Sequence, residues 1–289
     1  MSNADMAMYE AKHAGRNTFR FFTLDMNRKV NERATLETLL RSALNTGEFH
    51  PVYQPIIRLE DGALMGAEVL MRWENQELGN VPPADFIPVM EKAGFIKPVT
   101  EWLFNEILTE AKQWEHRPQP FWLAINVSPV YFSDPSFNSI LSASQKLAAC
   151  LKIELCVEIT ENLFLQSGEN ILDTFHHMQS IGVYSAMDDF GTGYSSLAYI
   201  KRFPLNFLKI DREFISGLPM DDDDRSLTEA IVLMGHKLGL TLIAEGVENQ
   251  AQLDYLKSLK VDHAQGYYFA RPMRNEEFIA YLGNILTRA

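Results

Sequence analysis

Asp188 and Asp189 stand side by side at the end of an apolar run, Val183-Tyr184-Ser185-Ala186-Met187. A glycine-rich stretch, Phe190-Gly191-Thr192-Gly193-Tyr194, follows at once. Unpaired carboxylates at the end of a buried strand each cost several kcal/mol, so a partner of opposite charge is required. A divalent cation is such a partner, and two cations can share an Asp-Asp pair. Acids and amides recur at the ends of other apolar runs: Glu68 in Glu68-Val69-Leu70-Met71-Arg72, Asn126 in Asn126-Val127-Ser128-Pro129, and Glu158 and Glu161 in Glu158-Ile159-Thr160-Glu161. Lys209-Ile210-Asp211, Glu245-Gly246-Val247-Glu248 and Gln265-Gly266 continue the series. Hard oxygen donors with one amide suit Mg²⁺ or Mn²⁺, and no His or Cys cluster has structural-zinc spacing. Two cations about 3.5–4 Å apart can activate water against a phosphodiester. Lys209 and Arg72 then suit phosphate oxygens, the arginine through a fork-like contact.

Taken singly, each acid reads as a salt-bridged or rim residue. Their joint placement at the same end of so many apolar strands carries the argument. Lys209 has a rival reading as a Schiff-base lysine, but that chemistry needs no carboxylate cage. Asp221 to Asp224 reads as a solvated acidic loop leading into a helix N-terminus. His176-His177 reads as a solvated helix face, and Trp73, Trp102, Trp114 and Trp122 as packing.

The elements that must position these groups are legible in the periodicity. A short helix is expected over Ala4–Ala14, capped by Gly15, then a strand over Asn17–Phe22. These look like the tail of another domain, because a lone helix and strand cannot bury their apolar faces. A helix follows from about Asp25 to Ala43, with an apolar stripe of Leu36, Leu39, Leu40, Ala43 and Leu44 and with Gly47 able to end it. From His50 the pattern alternates. Strands are expected at Val52–Leu59, Leu64–Trp73, Phe121–Val127, Ile153–Ile159, Val183–Met187, Phe207–Ile210, Thr241–Ala244 and Ala264–Phe269. Helices are expected at Ala84–Trp114, Asn138–Leu151, Asn170–Ile181, Ser195–Phe203, Arg225–Leu238, Gln250–Leu259 and Asn275–Leu286. Glu60-Asp61-Gly62 marks a hairpin between the first two strands, so one strand runs antiparallel. The fold expected is α/β, a modified TIM-like (β/α)8 barrel with one antiparallel strand, in preference to an open doubly wound sheet.

Composition sets the outer bounds. The chain has 289 residues, 26 Lys and Arg against 38 Asp and Glu, and a formal net charge of −12. That balance argues against binding a nucleic-acid polymer through a basic surface. It leaves a small anionic substrate open, since bound metal reverses the local sign. The two cysteines, Cys150 and Cys156, fit a reduced, cytoplasmic setting better than a disulfide scaffold. No apolar run approaches the ~18 residues that span a bilayer, which leaves a membrane anchor in a longer parent open.

From about Leu36 to Leu286 the chain resembles the EAL domain, a family of cyclic di-GMP phosphodiesterases. Tyr53-Gln54-Pro55-Ile56, Glu68-Val69-Leu70-Met71-Arg72-Trp73, Asn126-Val127-Ser128, Glu158-Ile159-Thr160-Glu161, Asp188-Asp189-Phe190-Gly191-Thr192-Gly193-Tyr194-Ser195-Ser196, Leu208-Lys209-Ile210-Asp211, Ala244-Glu245-Gly246-Val247-Glu248 and Gln265-Gly266-Tyr267 carry the likeness. Val69 replaces the alanine of the naming motif, at a position that is not a metal ligand. Ala4–Lys12 with Gly15-Arg16-Asn17 is similar to the C-terminal end of a GGDEF cyclase domain, so residues 1–24 are expected to be its tail and linker and 25–289 the EAL domain.

The resemblance implies two Mg²⁺ or Mn²⁺ ions held by Glu68, Asn126, Glu158, Asp188, Asp189 and Glu245. It implies catalytic roles for Lys209, which helps orient or activate the attacking water, and for Glu245 as base. Gln54 and Arg72 would contact substrate, and Gln265 a metal-bound water or the substrate. Glu161 would steady the loop Phe190–Ser196. The implied reaction is hydrolysis of cyclic di-GMP to linear pGpG; the alternative is a catalytically silent EAL domain that binds cyclic di-GMP as a receptor. A homodimer, and upstream GGDEF and sensor domains in the parent chain, are implied in the same way.

Overall fold

The structure, a computed structural model, describes residues 23–163, 169–191 and 202–286. The expected Ala4–Ala14 helix and Asn17–Phe22 strand lie outside them, as does most of the expected Ser195–Phe203 helix. The chain divides into two compact units, Met1–His50 with Arg72–Val99, and Pro51–Met71 with Thr100–Ala289.

The second unit contains the barrel. Its strands are β1 (Phe49–Arg58), β2 (Leu64–Asn75), β4 (Trp122–Asn126), β5 (Glu154–Thr160), β6 (Tyr184–Phe190), β7 (Phe207–Ile210), β8 (Thr241–Ala244) and β9 (His263–Ala264), with β1 and β2 running on into the first unit. The sheet order is β1-β9-β8-β7-β6-β5-β4-β2, and β2 pairs back onto β1 to close the barrel. β2 and β4 to β9 run parallel in succession, while β1 meets β9 antiparallel through Ile57↔Ala264 and Arg58↔His263. The expected single reversed strand is therefore β1. Its reversal brings its N-terminal half, with Gln54, to the end where the other strands finish.

Small side chains and rings fill the floor of the barrel. Ile56, Ala124, Cys156, Ala186, Phe207 and Ile243 form one buried cluster, with Trp122 and Tyr184 packed against it. The Trp122 and Phe207 rings lie 4.8 Å apart at 62°. Alanines face these rings because the interior of a small barrel holds bulky groups only where small ones make room. Gly66 answers the same crowding: a Cβ there would come within 2.3 Å of the Trp122 carbonyl oxygen.

A second aromatic cluster closes the outside of the barrel. Phe278, on the terminal helix α10 (Asn275–Leu286), stacks on Tyr53 at 5.3 Å and meets Trp114 edge-on at 5.1 Å. The Tyr53 hydroxyl donates to Glu110, and the Trp114 indole N–H donates to Asn275.

The first unit carries α1 (Leu24–Thr46), the strand β3 (Gly79–Val81) and α2 (Pro83–Ala93). Trp73 is its centre, edge-on to Phe86 at 5.7 Å. The Trp73 indole N–H and the Asn75 amide both donate to Glu48, at 2.9 and 2.8 Å. The single helix expected over Ala84–Trp114 is two, α2 and α3 (Ile96–Glu110), followed by a 3₁₀ turn at Ala111–Gln113. Gly94 ends α2 at φ 76°, and the Phe95 amide donates back to the Met90 carbonyl at 2.8 Å. Continuous apolar periodicity concealed that cap.

Other boundaries also moved. The last expected strand, Ala264–Phe269, shrinks to His263–Ala264, because the chain turns at Gly266 (φ 153°), where a Cβ would meet the Val247 carbonyl oxygen at 2.2 Å. Among the described residues the connections between the parallel strands carry α4 (Pro129–Phe132), α5 (Phe137–Cys150), α6 (Glu169–Ser180), α7 (Arg212–Ile215), α8 (Asp222–Lys237) and α9 (Gln250–Ser258). Asp221 is the N-cap of α8, accepting from the Asp223 and Asp224 amides, so the acidic run is a helix start and not a loop. Of the expected solvated pair on α6, His176 is exposed, while His177 is half-buried with its Nε2 2.8 Å from the Ser142 hydroxyl on α5.

Phe278→Ala should lower the unfolding free energy by about 3–5 kcal/mol, because it empties the centre of a ring cluster. Denaturant titration by tryptophan fluorescence measures this, and an unchanged midpoint would show that α10 contributes nothing to the barrel.

Candidate active site

Strand pleating places every second residue inside the barrel. The interior sequence therefore reads in pairs, a floor residue and then a polar one two positions on: Ala124 and Asn126, Cys156 and Glu158, Ala186 and Asp188, Phe207 and Lys209, Ile243 and Glu245, His263 and Gln265. On reversed β1 the pair is inverted, with Ile56 below and Gln54 above. Parallel registry sets Asn126 directly opposite Glu158, while Asp188 lies opposite Thr160, two residues further along β5 than Glu158. The amides of Glu245 and Gln265 extend the ladders past the strand ends, donating to the Ile210 carbonyl at 3.0 Å and the Ala244 carbonyl at 2.8 Å.

The ammonium of Lys209 occupies the middle of this upper ring. Its Nζ lies 2.5 Å from Glu245, 2.8 Å from Glu158, 3.3 Å from Asp188 and 3.4 Å from Glu68. Lys209 and Glu158 are each only 1% exposed. Glu68 is clasped on both sides: the Asn126 amide donates to its Oε1 at 2.7 Å, and the Gln265 amide donates to its Oε2. Gln265 also reaches Glu245 at 3.2 Å.

Crowded charge sets the protonation of these groups. Burial alone pushes the Lys209 ammonium down, but Asp188, Glu158, Glu245 and Glu68 together hold it well above the ordinary lysine value. Burial, then the neighbouring Glu68, pushes Glu158 well up. Burial likewise raises Glu245 well above a normal carboxylate, against the pull of Lys209. Burial also acts upward on Glu68, yet Lys209 and the two amides outweigh it and keep Glu68 below the usual value.

Asp188 and Asp189 would face opposite sides of a regular strand. A bulge prevents this: β6 pairs Met187 with Leu208 but Phe190 with Ile210, and Asp189 takes φ 55°. The Asp189 amide donates to Asp188 Oδ1 at 3.0 Å. Burial, then the carboxylates of Asp188 and Asp211, pushes Asp189 up to about 6. Asp211 was assigned no role from sequence, although it ends the same Lys209-Ile210-Asp211 run. It caps α7 (Arg212–Ile215), accepting from the Glu213 amide at 2.7 Å, and shares a hydrogen bond with Asp189.

The remaining expected residues are less tightly gathered. Gln54 is buried, and its amide donates to the Ala270 carbonyl at 3.3 Å. Arg72 is half-buried on β2. Glu161 opens the 3₁₀ turn Glu161–Leu163 and is buried, with neither carboxylate oxygen hydrogen-bonded among the described residues. The loop it is expected to steady, Phe190–Ser196, lies outside the described residues from Thr192 onward.

As it stands, no group of three or more His, Cys, Asp or Glu among the described residues is arranged around an open cation position. The ammonium takes the centre. The donor set itself, four carboxylates with an amide and a fifth carboxylate beside them, is nevertheless the chemistry that hard divalent cations prefer.

Fold and site together define a barrel enzyme architecture with an acidic mouth built at the C-terminal strand ends. The EAL domain family model matches residues 37–272, and the chain belongs to that family. It is 37% identical over 286 residues to MucR of Pseudomonas aeruginosa, a bifunctional diguanylate cyclase/cyclic di-GMP phosphodiesterase, covering 97% of this chain and 41% of MucR. It is 34% identical over 290 residues to the cyclic di-GMP phosphodiesterase PdeR of Escherichia coli, covering 99% of this chain and 43% of PdeR. The chain thus spans less than half the length of these relatives. Among solved structures, the MucR phosphodiesterase in complex with c-di-GMP superposes with a TM-score of 0.77 at 34% identity, covering 84% of this chain and 99% of that one. The EAL enzyme Bd1971 bound to cAMP and cyclic di-GMP gives 0.80 at 28% identity, covering 88% and 69%.

Lys209→Met should destabilise the fold by about 3–5 kcal/mol at neutral pH in chelator, since it leaves buried carboxylates without their cation. Urea denaturation measures it. An unchanged midpoint would mean that the carboxylates do not depend on the ammonium.

Proposed function

We propose that this chain hydrolyses one phosphodiester of cyclic di-GMP to linear pGpG with two Mg²⁺ or Mn²⁺ ions. The observation that carries the reading is the ring of Glu68, Asn126, Glu158, Asp188 and Glu245 around one buried ammonium. Glu158 Oε1 and Gln265 Oε1 are both buried with no hydrogen-bond partner among the described residues, so oxygen donors in the ring remain unsatisfied. Glu68, Asn126, Glu158, Asp188, Asp189 and Glu245 would hold the ions. Bound there, such ions acidify water and neutralise charge developing on the phosphate.

The protein groups divide the remaining work. Lys209 Nζ orients the attacking water and stabilises its developing negative charge. Glu245, whose affinity for a proton is already raised, accepts the proton that the water loses. Asn126 and Gln265 fix the Glu68 carboxylate between them, so it does not have to reorganise during the reaction. Gln54, at the mouth end of β1, and Arg72 contact the substrate. Asp211 positions Asp189 through their shared hydrogen bond.

The relatives support this substrate, being named as cyclic di-GMP phosphodiesterases. The same reading takes residues 1–24 as the end of a GGDEF domain, in line with the bifunctional name of MucR. It takes the EAL domain as a cytoplasmic homodimer; no helix among the described residues is long and apolar enough to cross a membrane. The rival, a silent receptor, is disfavoured because every motif residue that the reaction needs is present in the sequence.

Incubation with cyclic di-GMP and Mn²⁺ or Mg²⁺, followed by chromatography, should yield pGpG, and chelator should abolish it. Glu68→Ala should lower turnover by about 100-fold or more while leaving the circular dichroism unchanged. Tight binding of cyclic di-GMP without any pGpG would transfer the protein to the receptor class.

A further inference from the structure

The opposite end of the barrel holds a second polar constellation. A cavity of about 500 Å³ has Arg58, Glu60, Lys257, Lys260, Asp262 and His263 in its wall. It lies where the parallel strands begin, since β1 ends at Arg58 and β9 starts at His263, and the two residues pair across the sheet. Lys257 and Lys260 sit at the end of α9 (Gln250–Ser258) and in the turn after it. The volume is within the range of small-ligand sites.

His263 is the unusual member. It is 6% exposed, and neither ring nitrogen has a hydrogen-bond partner among the described residues. Its ring meets the edge of Trp122 at 5.0 Å, which fixes its orientation. A buried polar group without a partner costs about 1–3 kcal/mol, so a partner in the cavity is the expected resolution. Burial pushes the imidazole down to about 4, which makes it a neutral ring with one N–H donor at neutral pH.

The charges around it favour an anion as that partner. Neither lysine is in an ion pair among the described residues. Both acids on the wall are accounted for differently. Asp262 is engaged, accepting from the Leu242 amide at 2.9 Å and facing His236 at 3.2 Å. Glu60 sits exposed in the hairpin. Arg58 is held by Asp61 through two contacts of 2.9 and 2.7 Å, so it shapes the wall more than it adds free charge. Lys257 and Lys260, both exposed, line the same cavity as the His263 imidazole, a local pair of cations in a chain of net charge −12.

We propose that this cavity binds a small phosphorylated anion, with Lys257 and Lys260 meeting the phosphate oxygens and His263 donating a hydrogen bond from the barrel interior. The site is separate from the carboxylate ring and does not rest on the reaction proposed there.

The probe is inorganic pyrophosphate, titrated calorimetrically into the whole chain in chelator, so that no divalent ion can recruit it to the acidic mouth. The His263 imidazole resonance, assigned by its loss in His263→Phe, is followed in parallel. Saturable binding is expected, with the His263 resonance moving along the same curve. In a Lys257→Glu, Lys260→Asn double variant, affinity should fall by about tenfold or more. Asparagine is chosen at 260 because Lys260 has φ 61°, which asparagine tolerates. Absence of saturable binding, an unmoved His263 resonance, or full affinity in the folded double variant would each overturn the proposal; the first would leave His263 served by water alone.

Discussion

Lys209 holds together groups that would otherwise repel one another. Its ammonium is within 3.4 Å of carboxylates from β2, β5, β6 and the end of β8, so one side chain bridges much of the barrel's circumference. A buried ion pair of this kind is no source of net stability compared with an apolar core. What it provides is specification. Each carboxylate has one low-energy position, set by a common centre, and the strands that carry them must keep their registry to reach it.

The barrel meets this demand by layering. The rings of Trp122, Phe207 and Tyr184 fill the interior below, with Ala124 and Ala186 making room for them. Charged groups two residues further on are therefore lifted clear of a dry, packed floor toward the mouth. The local dielectric falls, charge–charge terms strengthen, and proton affinities move apart on chemically identical side chains: Glu68 goes down while Glu158 and Glu245 go up. Lys209 lowers Glu68 most, and the amides of Gln265 and Asn126, both donating to it, add to that pull.

Much of this was legible in the sequence because period-two alternation carries it. Polar residues placed two positions beyond Ala124, Cys156, Ala186 and Phe207 mark the same barrel layer without any coordinates. The Glu60-Asp61-Gly62 hairpin signalled the reversed strand, while a place for Gln54 in the site came from the family resemblance alone. Other features left no such trace. The break at Gly94 sits inside an unbroken helical stripe. The bulge that turns Asp189 beside Asp188 depends on strand registry with β7, which is a tertiary property. The role of Asp211 follows from that same bulge, so the acid was visible but its neighbour was not. The brevity of β9 follows from the close approach of Gly266 to Val247, again a contact between distant parts of the chain.

The central claim is that the carboxylate ring around Lys209 is built to hold a pair of divalent cations. Electron paramagnetic resonance during a Mn²⁺ titration tests it directly. The account predicts that the sharp signal of free aqueous Mn²⁺ is suppressed until two ions per chain are added, and that the bound pair shows the magnetic coupling of ions about 3.5–4 Å apart. A free-ion signal that grows from the first addition, as it would with no protein present, would contradict it.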